Sequence, residues 1–257
     1  DYSPKQSVKN FFRTGLIRNS SVNVSGSGAT TTFNANYSYM DDEGFTPGNR
    51  LIKNTFGMGG SAKLSNNFTF NGTFNYAITD FKSPPTSTSF GSNPSVSSVF
   101  GNLLYTPIAV DIQGLPYENP LDKSSVYYRP SNDIQHPLWT VNNSFFGQKI
   151  NRLYGSMALK YDILKNLNIL YRLGLDNYTD YNYFSQNKGG VVGGTDYTLG
   201  MHRTVTGRNT IWDHSLVANF NTDLTSDLRF DVTGGVNSQE RMYDQIGQRS
   251  TQQLVYG

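Results

Sequence analysis

The residue types that most often support catalysis or metal binding are scarce and scattered in this sequence. Cysteine is absent, and the three histidines, His136, His202 and His214, stand far apart along the chain. No two of them have the i, i+4 spacing of an H-E-x-x-H zinc site, and no G-x-S-x-G nucleophile motif occurs. The sequence therefore predicts a protein that is not an enzyme and that holds no metal ion or cofactor.

Two local clusters share part of a binding motif but lack the rest of the pattern. The acidic run Asp41-Asp42-Glu43-Gly44 does not offer oxygen ligands at alternate positions, as a calcium loop does. The glycine-rich run 189–194 has no strand-to-helix context that would make it a phosphate cradle. We interpret the first cluster as a solvated turn and the second as a loop tip.

The composition excludes several further classes of protein. Lys and Arg number 21 against 19 Asp and Glu, and the resulting net charge of +2 is too small for a basic nucleic-acid binder. No apolar run approaches the roughly 20 residues that a membrane-spanning helix needs. Aromatic residues make up 14% of the chain and charged residues only 16%, with 25 glycines. This combination favours a β-rich protein.

Apolar and polar residues alternate through much of the chain, with the period of two that is typical of β-strands. From Phe68 to Thr79, for example, the aromatic residues fall on one face and mainly Asn and Thr fall on the other. Eight such strands are predicted, near residues 21–25, 31–40, 51–64, 68–80, 152–163, 167–182, 208–224 and 228–237.

The length of these segments favours a membrane protein. Most of them hold ten residues or more, whereas strands of soluble proteins average about 5–6 residues and membrane-spanning strands need about 9–11. A face rich in Asn suits the wet wall of a large barrel better than a soluble sheet. We therefore predict an all-β fold, an antiparallel transmembrane β-barrel with its apolar face toward lipid. Four charged residues are predicted to face the lumen, where they either tune passage or pair within the wall: Arg172, Asp176, Asp213 and Asp231.

Short and long connections alternate between the predicted strands. Short polar turns lie near residues 26–29, 65–67, 164–166 and 225–227, and long loops cover 41–50, 81–151 and 183–209, with another predicted from Ser238. In outer-membrane barrels the short turns are periplasmic and the long loops are extracellular. Loop 81–151 is far larger than a small barrel needs. We therefore predict an arc of a larger barrel, although eight strands could close by themselves.

Loop 81–151 is the segment best suited to contact a ligand. It is rich in proline and carries Tyr127, Tyr128 and Trp139, whose rings could stack on an oligosaccharide or a peptide. Packing within the loop is the alternative role for these rings. The apolar centre of the loop, residues 103–110, either packs inside the barrel mouth or contacts a partner protein.

An ordered series of short motifs covers residues 8–80. It comprises VKNFFRTG at 8–15, NSSVNVSG at 19–26, FNANYSY at 33–39, DDEGF at 41–45, NTF at 54–56 and AKLSNNFT at 62–69. Together these motifs resemble the segment just after the plug domain in SusC/RagA-type TonB-dependent outer-membrane transporters.

The resemblance implies a barrel of about 22 strands with a plugged lumen, of which this chain would form the first third. Residues 1–20 would form the connection from the plug and the entry into the first strand, and residues 21–257 would form part of the barrel with its long extracellular loops. It further implies import of glycans, peptides or other large nutrients through the outer membrane of a Gram-negative bacterium, whose lipid would surround the barrel. A SusD-like surface lipoprotein would cover the mouth, and the TonB complex would act through an N-terminal region absent from this sequence.

Two other classes stay open at this point. One is a passive or structural outer-membrane barrel without a plug, such as a porin or a secretion or adhesion component. The other is a soluble β protein that binds carbohydrate. A plug domain and a TonB box encoded upstream would separate a transporter from a passive barrel, and solubility without detergent would favour the soluble protein.

Overall fold

The main feature of the computed structural model, which describes residues 5–86, 98–126, 134–191 and 194–256, is one antiparallel sheet of eight strands. The strands are β1 Leu16–Ser27, β2 Thr31–Glu43, β3 Arg50–Lys63, β4 Phe68–Ser83, β5 Ser144–Leu164, β6 Leu167–Gln186, β7 Met201–Asp223 and β8 Arg229–Thr251. Each strand is hydrogen-bonded to the next one in chain order. Every predicted segment is a strand, which confirms the all-β antiparallel prediction.

The pairing register keeps like residues on the same side of the sheet. Asn36 is opposite Gly57, which is opposite Asn75, and the same row continues through Tyr154 to Asp176. A slip by one residue would exchange the two faces of a strand, so the alternation of the sequence fixes this register. We call this side the amide-rich face; it carries Asn34, Asn36, Asn71, Asn75, Tyr154, Asp176, Asp213 and Asn219. The opposite side is the apolar face; it carries Phe33, Met58, Phe70, Phe74, Leu153, Leu173, Trp212 and Phe230.

The sheet is an open arc within the described part of the chain. There, β1 pairs only with β2 and β8 pairs only with β7, so the eight strands do not close on each other. Short turns lie at one end of the sheet, at residues 28–30, 64–67, 165–166 and 224–228, and longer connections lie at the other end, at 44–49, 84–143 and 187–200. The predicted arc and the predicted alternation of connections are both found.

The strands lengthen along the sheet, from 12 residues in β1 to 23 residues in β7 and β8. The prediction of a loop from Ser238 was wrong, because β8 continues to Thr251 and pairs with β7 along its whole length. Residues 238–251 carry polar and charged side chains on both faces. They therefore lack the alternation that marks the other strands, and only the pairing partner reveals them.

Among the described residues, four short helices lie outside the sheet: α1 Ser7–Phe11, α2 Val99–Tyr105, α3 Pro137–Asn143 and α4 Gly194–Thr198. The Ser98 side chain caps α2 by accepting from the Gly101 N–H at 3.2 Å. His136 caps α3, with Pro137 at the first helical position. We call residues 98–126 and 134–143 the loop cap.

The loop cap holds the hydrophobic core of the described molecule. Phe11 of α1 packs there with Val99, Leu103 and Ile112. Ser7 fixes the same junction, since its Oγ donates to the Val110 carbonyl at 2.7 Å and accepts from the Ile112 N–H at 3.1 Å. The N-terminal segment is therefore attached to the loop cap at the long-loop end of the sheet.

Candidate functional site on the amide-rich face

A cleft of about 380 Å³ opens on the amide-rich face between β4 and β7. It forms where Gly174 lies between Ser156 and Asp213 in the register, because the missing side chain of Gly174 leaves a gap in the row. The polar side chains that line the cleft are Thr73, Asn75, Tyr154, Ser156, Asp176 and Asp213. The lining thus combines hydroxyl, carboxamide and carboxylate groups.

Arg152 organises one wall of this cleft. Its Nε and Nη2 donate to the two carboxylate oxygens of Asp176 at 2.9 Å and 2.7 Å, a bidentate geometry that fixes both side chains. The guanidinium carbon of Arg152 also lies 5.0 Å from the centre of the Tyr154 ring, within the range of a cation–π contact. Arginine, aspartate and tyrosine therefore form one preorganised unit.

Asp213 supplies the second carboxylate of the cleft. The Nδ2 atom of Asn237 donates to its two oxygens at 3.2 Å and 3.4 Å. The neighbouring Thr73 and Ser156 hydroxyls are 3.3 Å apart. The hydroxyl, carboxamide and carboxylate groups of the cleft can all form hydrogen bonds to a polar ligand.

The structure brings together two of the four charged residues that were predicted to face the lumen. Asp176 and Asp213 line the same cleft. Arg172 lies on the same face of β6, nearer the short turns. Asp231 lies on β8, outside the cleft, and accepts from Arg229 at 3.2 Å. Ion pairs within the wall are thus found for Asp176, with Arg152, and for Asp231, with Arg229.

Sequence reasoning did not single out the contributions of Arg152, Tyr154 and Asn75. The alternation of polar and apolar residues places all three on the polar face, and this is the feature of the sequence that could have identified them. Their convergence depends on the register between β4, β5 and β6, which no local pattern specifies.

Of the three aromatic residues of the loop that were predicted as possible ligand contacts, Trp139 lies within the described structure. Trp139 in α3 is 0% exposed, and its Nε1 donates to the Lys123 carbonyl at 2.9 Å. This burial favours packing within the loop cap over direct ligand contact. Tyr127 and Tyr128 lie outside the described residues.

His136 is the most strongly perturbed group of the loop cap. It is only 4% exposed, and its Nδ1 accepts from the Leu138 N–H at 3.2 Å. Its Nε2 has no hydrogen-bond partner among the described residues. Burial disfavours the charged imidazolium and lowers the pKa of His136 from 6.5 to about 4. The neutral ring is therefore the form that caps α3.

The apolar face is not covered by any of the residues that the structure describes. Phe33 is 57% exposed, Met58 47% and Phe230 48%. In the described part of the chain, the buried apolar side chains lie in α1, in the loop cap, at Pro84 and Pro85 just after β4, or on the amide-rich side of strands near the long loops. An exposed apolar band of this extent requires an apolar environment.

Together, the open eight-stranded antiparallel sheet, its polar cleft and its exposed apolar band define an all-β fold of the β-barrel type. No family model matches the chain, and no curated protein matches it. Solved structures do match. Two structures of the RagAB peptide importer, one of them in the closed-closed state, align with 97% of this chain at a TM-score of 0.76. A third, in the open-open state, aligns with 96% at a TM-score of 0.74.

This similarity concerns the fold, because the sequence identity is low and the chain covers only part of the matched structures. Sequence identity is 16% in all three comparisons, so the match establishes the fold. The chain spans 27% of the matched chain in the first two structures and 26% in the third. At the level of the fold, the resemblance to SusC/RagA-type barrels is confirmed. Within the described residues, no helix has the length and apolar character needed to cross a membrane.

Proposed function

We propose that this chain is part of the barrel of a SusC-like TonB-dependent transporter, which imports nutrients through the outer membrane of a Gram-negative bacterium. The observation that carries the proposal is the pairing of an exposed apolar face with a polar, cleft-bearing face in a sheet that matches importer barrels. Hydrocarbon would cover the apolar face, and water and the transported ligand would meet the amide-rich face.

We assign the two ends of the sheet by the length of their connections. The short turns would face the periplasm, and the long connections would be extracellular. These are residues 84–143 and 187–200, which lie within the predicted loops 81–151 and 183–209. The predicted boundary at residue 20 falls inside β1, so residues 1–15 would lead from a plug domain to this part of the barrel, and strands β1 to β8 would form its wall. The row of lumen residues would then comprise Arg172, Asp176, Asp213 and Asp231.

A SusD-like surface lipoprotein is the proposed partner of the extracellular end. The loop cap supports this proposal because it leaves several apolar side chains in solvent: Leu104 is 78% exposed, Ile108 55% and Leu121 92%. Leu103, which is adjacent in sequence, is buried. The predicted apolar centre therefore both packs and remains available to a partner. Tyr127 and Tyr128 are proposed to contact an oligosaccharide or peptide ligand at this end.

The TonB complex would supply energy through an upstream region, which distinguishes this proposal from a passive barrel. A decisive experiment uses the complete reading frame that contains these residues. We expect the full protein in the outer-membrane fraction of a density gradient. Uptake of fluorescent oligosaccharides or peptides should fall at least ten-fold in a strain without TonB.

Each competing class predicts a different result from the same experiment. Uptake that does not depend on TonB would indicate a passive barrel. A protein that stays soluble without detergent would contradict a membrane location altogether.

A further inference from the structure

A second cavity lies on the amide-rich side of the sheet, close to the long loops. It has a volume of about 360 Å³, near the lower end of the roughly 300–1,000 Å³ of ligand pockets, so it suits one or two side-chain-sized groups. We call it the rim pocket; its main lining side chains are Phe81, Phe146, Gln148, Asn182, Phe184 and Arg203.

The floor of the rim pocket is aromatic. Phe146 and Phe184 are opposite each other in the register of β5 and β6, and their ring centres are 4.7 Å apart at 44°. Phe184 is 5% exposed, whereas Phe146 is 37% exposed. One ring is therefore fixed by packing while its neighbour presents an accessible surface. Such a pair suits an apolar or aromatic group that stacks against it.

These aromatic residues were not assigned to a site by the alternation pattern. Phe184 falls in the polar row of β6, opposite Arg203 of β7. In a lumen that is mainly polar, an aromatic pair in this row needs a specific role. Packing alone does not account for the exposed ring of Phe146.

The opposite wall of the rim pocket is positively charged. Arg203 is exposed, and among the described residues no carboxylate lies within ion-pair distance of it. Arg203 itself is therefore the positive charge of the pocket. The nearby carboxylate of Asp180 already accepts from Gln148 Nε2 at 3.1 Å. The guanidinium of Arg203 is thus accessible to an anionic group of a ligand in the rim pocket.

We propose that the rim pocket binds a ligand in which an apolar or aromatic side chain stands beside a carboxylate, as in the C-terminal residue of a short peptide. The side chain would occupy the Phe146–Phe184 floor, and the carboxylate would meet Arg203. A neutral saccharide could stack on the aromatic floor but has no carboxylate that could pair with Arg203. The inference rests on the proposed function, because it needs the amide-rich face to be open to transported ligands.

Calorimetric titration of the purified full-length protein in detergent tests the proposal. The probes are the tripeptide Ala-Ala-Phe as the free acid, the same peptide with a C-terminal amide, and maltotriose. The free acid should bind at least ten-fold more tightly than the amide and the sugar, since charge-assisted hydrogen bonds are the stronger ones. Arg203→Gln should remove this preference by weakening only the free acid.

Matched control variants separate recognition from folding. Arg208→Gln removes an exposed arginine from the opposite face of the same strand, and it should leave the affinity unchanged. Phe146→Leu should weaken binding several-fold, whereas Phe145→Leu, on the other face of β5, should not. Heat-modifiable gel mobility confirms that each variant is folded.

Four outcomes of these titrations would contradict the proposal. Equal binding of the acid and the amide, equal effects of Arg203→Gln and Arg208→Gln, tighter binding of maltotriose, or no binding of any probe would overturn the proposed pocket. Those outcomes leave the transporter proposal intact as long as the same protein is found in the outer membrane and imports nutrients in a TonB-dependent way. Loss of that localisation would instead refute the proposed function.

Discussion

Single residues of this protein acquire their roles from neighbours on other strands. Arg152 holds Asp176 in a bidentate pair and lies against Tyr154. Both side chains of the pair are partly exposed, and exposed ion pairs contribute little to stability, about 0–1 kcal/mol. We infer that the pair mainly fixes the orientation of the groups that line the cleft.

His136 gives the loop cap a predicted sensitivity to acid. Its pKa is about 4 in the folded chain, against 6.5 for a histidine in water. The unfolded loop therefore binds more protons between these values, and stability is lost as the pH falls from about 6.5 to 4. A shift of this size corresponds to at most about 3 kcal/mol. Amide hydrogen exchange of residues 134–143, corrected for the intrinsic rate, should therefore become faster as the pH falls from about 6.5 to 4.

A cap that does not titrate provides the control for this prediction. His136→Asn keeps a side-chain acceptor at the start of α3 but removes the ionisable ring, so the pH dependence of exchange should largely disappear. If wild-type exchange is flat between pH 6.5 and pH 4, His136 does not control the stability of the loop cap.

At the scale of the elements, close approach of strands depends on particular glycines. A Cβ on Gly155 of β5 would lie 2.2 Å from the Thr73 carbonyl oxygen of β4, so Gly155→Ala must displace the backbone. We expect a loss of about 1–3 kcal/mol in the free energy of unfolding, measured by urea titration of the full-length barrel. Gly234→Ala on the same face of β8 is the control, because no atom lies within 4 Å of its added Cβ.

The assignment of the two faces leads to a second prediction for the strands. Leu173 lies on the apolar face between Met157 and His214 in the register. Leu173→Arg would place a charge in hydrocarbon and should reduce barrel stability by about 2–4 kcal/mol near the midplane. Asn75→Asp, on the amide-rich face, should assemble normally. Similar assembly yields for both variants would refute the assignment.

At the scale of the whole molecule, the open edges of the sheet are the dominant feature. The unpaired sides of β1 and β8 expose backbone N–H and C=O groups, which hydrocarbon cannot satisfy. We expect residues 1–257 expressed alone to aggregate and to show no heat-modifiable band on a gel, whereas the full-length protein should show one. A stable monomer of residues 1–257 would mean that the two edges can pair directly.

The sequence by itself determined the positions of the eight strands, their two faces and the contrast between short and long connections. It could do so because alternation is a local property: a strand that separates two environments carries one residue type on each face. Where both environments are polar, as in residues 238–251, that signal disappears and the prediction failed.

Only the tertiary structure decided which residues meet. The Arg152–Asp176 pair, the cleft at Gly174 and the rim pocket depend on the register of neighbouring strands. The burial of Trp139 depends on how the loop cap folds over residues far away in the chain. The physical reason is that strand register and the packing of the loop cap depend on contacts between residues far apart in the chain, which no short stretch of residues encodes.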